Sequence, residues 1–172
     1  MTPEFSRPVR LDELGGTPRS LTLAADESER AALAQRFDLM EIGRLEADAD
    51  LVRDGDIVIA TGRLHAEVVQ ICVASGGPVP AAVAEAFTLR FVPTPAGGEA
   101  EEEMELDEGD LDEIFYEGGA IDLGEAVAQT LALALDPFPR APDADAALRE
   151  AGVLPEEDAG PFAALKALKD KL

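Results

Sequence analysis

The chain has 172 residues, 36 of them acidic and 14 basic, and a formal net charge of −22 at pH 7. Proteins hold nucleic-acid phosphates and anionic membrane surfaces with Lys and Arg, so this charge argues against both partners and favours a basic protein. Hydrophobic residues make up 47% of the chain, which is enough to bury the core of one domain.

The start of the chain and its longest apolar stretch argue against targeting and membrane segments. The opening run MTPEFSRPVRLDEL lacks the apolar core of a signal peptide. Residues 126–135 form the longest apolar stretch, which falls well below the roughly 20 residues that span a bilayer. A single cysteine, Cys72, excludes an intrachain disulfide and a CxxC zinc site. We therefore expect a soluble, cytoplasmic protein.

The N-terminal part of the chain predicts a strand followed by a short helix. Arg19–Ala24 alternates between polar and apolar residues and follows a Gly-Gly-Thr-Pro run, which is typical of a strand. Asp26 and Glu29 have the spacing of a capping box, and apolar residues follow them as far as Phe37. This arrangement indicates a helix that begins after Asp26.

Two longer strands are predicted next. Between Ile42 and Leu51, apolar residues alternate with acidic ones, which is typical of a half-buried strand. The run Asp54-Gly55-Asp56 predicts a tight turn. It leads into a long strand, Ile57–Val73, in which Gly62 is expected to mark a bulge or bend.

The next segment changes in character from sheet to acidic insert. Ser75–Pro80 predicts a loop, and Phe87–Phe91 alternates as another strand. Residues 94–113 form an insert in which Glu99–Glu113 holds ten acids in fifteen residues, so we expect it to be solvated and flexible. Ile114–Tyr116 is predicted to return to the sheet.

Residues 118–142 predict a capped and buried helix. Asp122 suits the N-cap and Glu125 the N3 position of a reciprocal capping arrangement, with Ile121 as a hydrophobic staple. The residues that follow are apolar on every face, which is typical of a buried central helix. The helix is expected to end at Asp136, because a proline disfavours helical geometry in the residue before it.

The tail predicts two further helices, Ala144–Glu150 and a last one that starts at Pro161 and carries lysines toward its end. The predicted fold class is α+β: an antiparallel meander or curled sheet, packed on the buried central helix, with short flanking helices. We expect residues 1–142 to form a single domain that contains the acidic insert, and residues 143–172 to form a C-terminal helical tail.

The residues give little support to catalysis or metal binding. His65 and Cys72 are the candidates for a nucleophilic pair, but seven positions along one strand separate them by roughly 23 Å and place them on opposite faces. We expect a surface-facing His65 and a small buried Cys72. The acidic run does not match the spacing of a calcium loop. We therefore expect no catalytic residue, metal or cofactor; an enzyme that uses Cys72 or His65 is the less favoured alternative.

The remaining residues leave two interpretations open, packing of Phe138 into the core and, as the sharper hypothesis, docking to a basic protein. The proline-stopped exit of the helix at 122–136 presents Phe138 and Arg140. In the acidic insert, Glu101, Glu102 and Glu103 would attract a basic surface through long-range electrostatics. These five residues are the predicted docking residues.

Two stretches of the chain carry a family resemblance. The first contains QICV at 70–73, PV at 78–79 and FTLRF at 87–91, and the second contains IDLGE at 121–125 and LALDPFPR at 133–140. With the acidic insert and the closing PFAAL at 161–165, they make essentially the whole chain resemble the YceD family, the large ribosomal RNA subunit accumulation proteins.

The resemblance implies a non-enzymatic factor that supports synthesis, processing or accumulation of large-subunit rRNA, and hence ribosome assembly. Combined with the charge, it implies a basic ribosomal or ribosome-assembly protein as partner and argues against direct binding of naked RNA. Many relatives carry a second cysteine where this chain has Ser75, and further cysteines where it has Asp143-Ala144-Asp145, so no metal site is expected here. The alternative is an acidic interaction module unrelated to ribosomes.

Overall fold

The computed structural model describes residues 3–95 and 112–153. Within these residues the chain forms seven strands, three α-helices and a single 3-10 turn at Leu11–Glu13. In chain order, the strands and α-helices are β1 (Pro8–Arg10), β2 (Arg19–Ala24), α1 (Glu27–Arg36), β3 (Glu41–Asp54), β4 (Ile57–Ile71), β5 (Pro78–Pro93), β6 (Asp112–Tyr116), β7 (Ala120–Asp122), α2 (Leu123–Ala134) and α3 (Ala144–Glu150).

The strands form one five-stranded sheet in the order β2-β3-β4-β5-β6 and a separate pair of β1 with β7. The β2–β3, β3–β4 and β1–β7 pairs are antiparallel, whereas β6 runs parallel to β5. The predicted α+β class and mostly antiparallel sheet are confirmed. The predicted return of the chain at Ile114–Tyr116 is also confirmed, but as a parallel strand and not as the next strand of a meander.

The first strand and helix have their predicted positions. The bounds of β2 are those predicted, and α1 begins directly after its cap. Asp26 Oδ1 accepts a hydrogen bond from the Glu29 amide at 2.9 Å, and Glu29 Oε2 accepts one from the Asp26 amide at 2.8 Å. This reciprocal pair satisfies two amides that have no partner within the helix, which explains why the helix starts here.

The β3–β4 register passes through the Ala49–Gly62 pair without interruption, so this pair has no bulge at Gly62, and the bend that was the other possibility there stays a prediction. The register shifts instead between Ile42 and Arg44, so Gly43 is the extra residue of a bulge. The bulge reverses the alternation, and as a result both Ile42 and Leu45 are buried although an odd number of positions separates them.

The predicted loop at Ser75–Pro80 is too long at its C-terminal end. Strand β5 begins at Pro78, so it starts well before the predicted strand at Phe87–Phe91. The early part of β5 is rich in alanine and largely exposed, and it lacks the strong apolar alternation on which the prediction relied. Phe87, Leu89 and Phe91 are buried, as their pattern indicates.

Helix α2 keeps its predicted N-cap but is shorter and less completely buried than expected. Asp122 Oδ1 accepts a hydrogen bond from the Glu125 amide at 3.1 Å, whereas both Glu125 carboxylate oxygens accept from Arg36. The helix ends at Ala134, two residues before Asp136, because Leu135 already has an extended backbone. Leu133 is 82% exposed, so one face of the helix meets solvent.

The buried side of α2 belongs to the main hydrophobic core. Helix α2 shares one hydrophobic cluster with inward-facing residues of β2, β3, β4 and β5. It contributes Leu123, Ala126, Val127, Ala128 and Leu131. Packing of a curled sheet on a central helix stays a prediction. Apolar burial of this extent is the main stabilising contribution to a domain of this size.

The described residues divide into two compact units. One unit comprises residues 3–70 with 80–95 and 112–136, and the other comprises residues 71–79 with 137–153. Helix α3 in the second unit has the predicted bounds. The acidic insert from residue 96 to 111 and the predicted helix at Pro161 lie outside the described residues, and a domain division after Pro142 stays a prediction.

Candidate functional site

The second unit is a loop tied to the proline-rich segment by backbone hydrogen bonds. The chain turns after Cys72, whose amide donates to the Gly77 carbonyl at 2.8 Å and whose carbonyl accepts from the Gly76 amide at 2.9 Å. The Val73 amide donates to the Pro139 carbonyl at 2.9 Å. These bonds hold the loop against residues 137–142, where the predicted docking residues Phe138 and Arg140 lie.

The thiol of Cys72 lies at the centre of this unit. It is buried against Ala141 and Ala144, and its Sγ accepts hydrogen bonds from the Ala141 amide at 3.3 Å and the Ser75 amide at 3.4 Å. The bond from Ala141, followed by those from Ser75, lowers the pKa of the thiol to about 6. Donors aimed at the sulfur favour the thiolate, because they partly replace its hydration.

The stability that Cys72 contributes is expected to depend on pH. The ordinary pKa of the thiol is 9.0 and the folded value is about 6, so the folded state binds fewer protons between these values. We expect the free energy of unfolding of the wild-type chain, relative to that of Cys72→Ala, to fall as the pH is lowered from 9 to 6. Urea titrations of both proteins across this window measure the difference, and a difference independent of pH would contradict the assignment.

The structure places the two candidate reactive side chains differently. His65 is exposed on β4, whereas the Cys72 thiol is buried and accepts from the Ala141 and Ser75 amides. Within residues 3–95 and 112–153, no three His, Cys, Asp or Glu side chains are grouped in a way that could hold a metal ion. The expected burial of Cys72 and exposure of His65 are both found.

The structure describes two of the five predicted docking residues. Phe138 is 74% exposed, and Arg140 is half-exposed and forms an ion pair with Asp145. Val73, in the same unit, is a further exposed apolar residue at 58%. Glu101, Glu102 and Glu103 lie outside the described residues.

The IDLGE stretch has a structural role that the sequence pattern showed only in part. Besides capping α2, the Asp122 carboxylate accepts hydrogen bonds from the Ser6 hydroxyl at 2.6 Å and the Arg7 amide at 2.8 Å. Gly124 lies directly against the backbone of Phe5 and Arg7. These contacts hold the N-terminal segment against the start of α2, and no local sequence pattern at residues 3–10 predicts them.

The same stretch also joins α2 to α1 through its glutamate. Arg36, in the last turn of α1, donates to both carboxylate oxygens of Glu125 at 2.8 and 2.9 Å and to Glu4 at 2.9 Å. At the far end of α2, the buried Gln70 side chain donates to the Asp136 carbonyl at 2.8 Å. The two stretches that carry the family resemblance are therefore occupied largely with packing and hydrogen bonding.

The chain matches the model of a known protein family. The family model described as "Large ribosomal RNA subunit accumulation protein YceD" matches residues 60–169, more than half of the 172 residues. The chain belongs to the YceD family. No curated protein and no solved structure matches it.

The YceD match includes Cys72, the proline-rich segment and α2, and it begins within β4. The family name connects the chain with accumulation of the large ribosomal RNA subunit. In the described part of this YceD chain, no helix is both long and apolar enough to cross a membrane.

Proposed function

We propose that this YceD protein is a non-enzymatic, cytoplasmic factor that supports synthesis, processing or accumulation of large-subunit (23S) rRNA by binding a basic ribosomal or ribosome-assembly protein. The observation that carries the proposal is a net charge of −22 in a member of a family named for rRNA accumulation. Such a charge attracts basic proteins and repels naked rRNA.

The ion pairs of the described residues support a protein partner. Eight of the eleven described arginines form ion pairs with carboxylates, and Arg30 donates to the carbonyls of Ala25 and Ile42. Binding of RNA phosphates would require these cations to leave their carboxylates. The eight ion-paired arginines are Arg7, Arg10, Arg19, Arg36, Arg44, Arg53, Arg90 and Arg140.

The docking residues are part of the same proposal. Phe138 offers an exposed aromatic ring, a type of side chain that is enriched at binding interfaces, two positions before Arg140. Glu101, Glu102 and Glu103 supply further negative charge for a basic surface. In this proposal the apolar contact gives affinity and the acidic insert speeds association.

Capture from ribonuclease-treated lysate with the tagged full chain, repeated at rising salt, tests the proposal. We expect a basic large-subunit or assembly protein to be captured at low salt and lost as screening increases. Phe138→Ala should capture about tenfold less, whereas Leu133→Ala, which truncates a comparably exposed side chain elsewhere, should capture as much as wild type.

Two results would contradict the proposal. Recovery of rRNA without any basic protein would show that the chain binds RNA itself. Capture only of basic proteins unconnected with ribosomes would favour the general acidic interaction module. Equal losses for the Phe138 and Leu133 variants would remove Phe138 from the docking surface.

A further inference from the structure

The bulge in β3 creates a depression on the outward face of the sheet. Glu41 pairs with Val69 and Arg44 with Glu67, and the extra residue between them, Gly43, has no side chain to cover its neighbours. The depression has a volume of about 440 Å³ where β3 begins, β4 ends and β5 begins. It is lined by Glu41, Gly43, Glu67, Val68, Val69, Pro80, Ala81 and Ala82.

A second depression of about 470 Å³ lies between α1 and the start of β3. Glu41 and Gly43 line both depressions, so the two are adjacent. The lining of the second depression also includes Glu27 and Met40, which is 48% exposed. We call the two depressions together the Gly43 groove. Their combined size suits several side chains of an extended segment and exceeds the needs of a single ion.

The carboxylates around the Gly43 groove form no ion pair among the described residues. No ion pair within residues 3–95 and 112–153 includes Glu27, Glu41 or Glu67. Two cations lie beside these carboxylates: Arg30 lines the second depression, and Arg44 pairs with Glu67 across the two strands. Arg44 donates to Glu46 at 2.6 Å, and Arg30 donates to backbone carbonyls. The groove therefore combines apolar surface with three carboxylates that have no ion-pair partner within residues 3–95 and 112–153.

We infer that the Gly43 groove binds an extended basic segment of the partner protein, with an arginine or lysine between Glu41 and Glu67. The aliphatic part of such a side chain would cover Val69, Pro80 and Ala82, while its charged end would form charge-assisted hydrogen bonds with the carboxylates. The inference rests on the proposed function only for the identity of the partner.

Titration of the isotope-labelled full chain with a short synthetic peptide of alternating arginine and alanine tests the groove directly. We expect saturable changes in the amide resonances of Gly43, Val69 and Ala82, and none with the matching peptide that has glutamine in place of arginine. Changes of equal size over the other acidic surfaces would overturn the assignment. Changes on concentrating the chain alone would assign the groove to a second copy and overturn it as well.

Matched variants separate local contacts from overall charge. Glu41→Gln with Glu67→Gln is expected to bind the arginine peptide about tenfold more weakly than Asp54→Asn with Glu85→Gln, which has the same net charge and alters exposed acids outside the groove. Equal affinities of the two double variants would overturn the inference.

A third variant fills the groove without removing charge. A Cβ at Gly43 would lie 3.7 Å from Glu41 Oε1 and 3.8 Å from the Glu67 carbonyl, which are ordinary contacts, so Gly43→Leu is expected to fold. It should also weaken peptide binding about tenfold, and wild-type affinity would overturn the inference.

Peptide binding in the groove without capture of a ribosomal protein would contradict the proposed function alone. Capture that is unaffected by the groove variants would contradict the groove alone.

Discussion

Gly124→Ala is expected to lower the free energy of unfolding by about 3 kcal/mol. A Cβ at this position would lie 2.6 Å from the Phe5 carbonyl oxygen and 2.8 Å from the Arg7 nitrogen. The N-terminal segment cannot move away without loss, because Phe5 is fully buried and the Arg7 backbone bonds to Asp122 and Leu123. The sign of the change in unfolding free energy is informative, since alanine in place of glycine within a helix would otherwise stabilise the chain by about 1 kcal/mol.

Gly119→Ala provides the matched control for this prediction. A Cβ there has no neighbour within 4 Å, and we expect the change in unfolding free energy to stay within about 0.5 kcal/mol. Urea denaturation followed by circular dichroism and by the fluorescence of Tyr116, the single tyrosine of the chain, measures both variants. A Gly124→Ala protein as stable as Gly119→Ala would show that the N-terminal segment does not pack against α2 as described.

The second large effect is expected in the sheet, where Gly62→Ala should cost about 3–5 kcal/mol. A Cβ at Gly62 would lie 2.1 Å from the Asp48 carbonyl oxygen, 2.8 Å from Phe87 Cζ and 2.9 Å from Ala49 Cα. The ring of Phe87 is buried and occupies the space that a side chain would need. Two of the three contacts are with the backbone of β3, so relief would require the β3–β4 pair to separate.

Gly43→Ala is the control for Gly62→Ala, because both glycines lie in the β3–β4 pair and only Gly62 faces close neighbours. We expect the Gly43 variant to keep near wild-type stability in the same urea titration. If Gly62→Ala were equally stable, Phe87 would not occupy the space beside Gly62. The pair of variants thereby distinguishes a glycine required by packing from a glycine that forms a surface depression.

Local repetition explains which elements were predictable. Strand β3 was recognisable because apolar inward residues alternate with acidic outward ones from Leu45 to Leu51, and α1 because its cap and its first turn are contiguous in the sequence. The bulge also had a signal. Ile42 and Leu45 are both apolar at an odd separation, and Gly43 lies between them, so the change of phase was visible at Gly43 and not at Gly62.

Contacts between distant segments explain what was not predictable. The β1–β7 pair joins residues near the start of the chain to Ala120–Asp122, and β1 has only three residues, too few for a pattern. The parallel direction of β6 depends on the path of the chain between β5 and β6 and not on the sequence of β6 itself. The exposure of Leu133, by contrast, had a local signal, because Gln129 and Thr130, one turn earlier on the same helix face, are polar.

The candidate sites show the same division. The sequence left open whether Phe138 packs into the core, and the structure shows it exposed. The docking role of the five predicted residues stays a proposal. The Gly43 groove was not predictable, because its walls come from three strands and a helix that are separated along the chain. The hydrogen bond from the Ala141 amide to the Cys72 thiol was not predictable either, because it joins residues 69 positions apart.

By itself, the sequence determined the YceD family, the charge that favours a basic partner, and the elements β2, α1, β3 and α3. Only the tertiary structure decided that Gly124 and Asp122 hold the N-terminal segment, that β6 is parallel, and that Glu41 and Glu67 line a groove at Gly43. The physical reason is that helices and strands repeat one geometry from residue to residue, so the pattern of buried residues follows a short period in the sequence. Packing between distant segments has no such period and is set by the shape of the whole core.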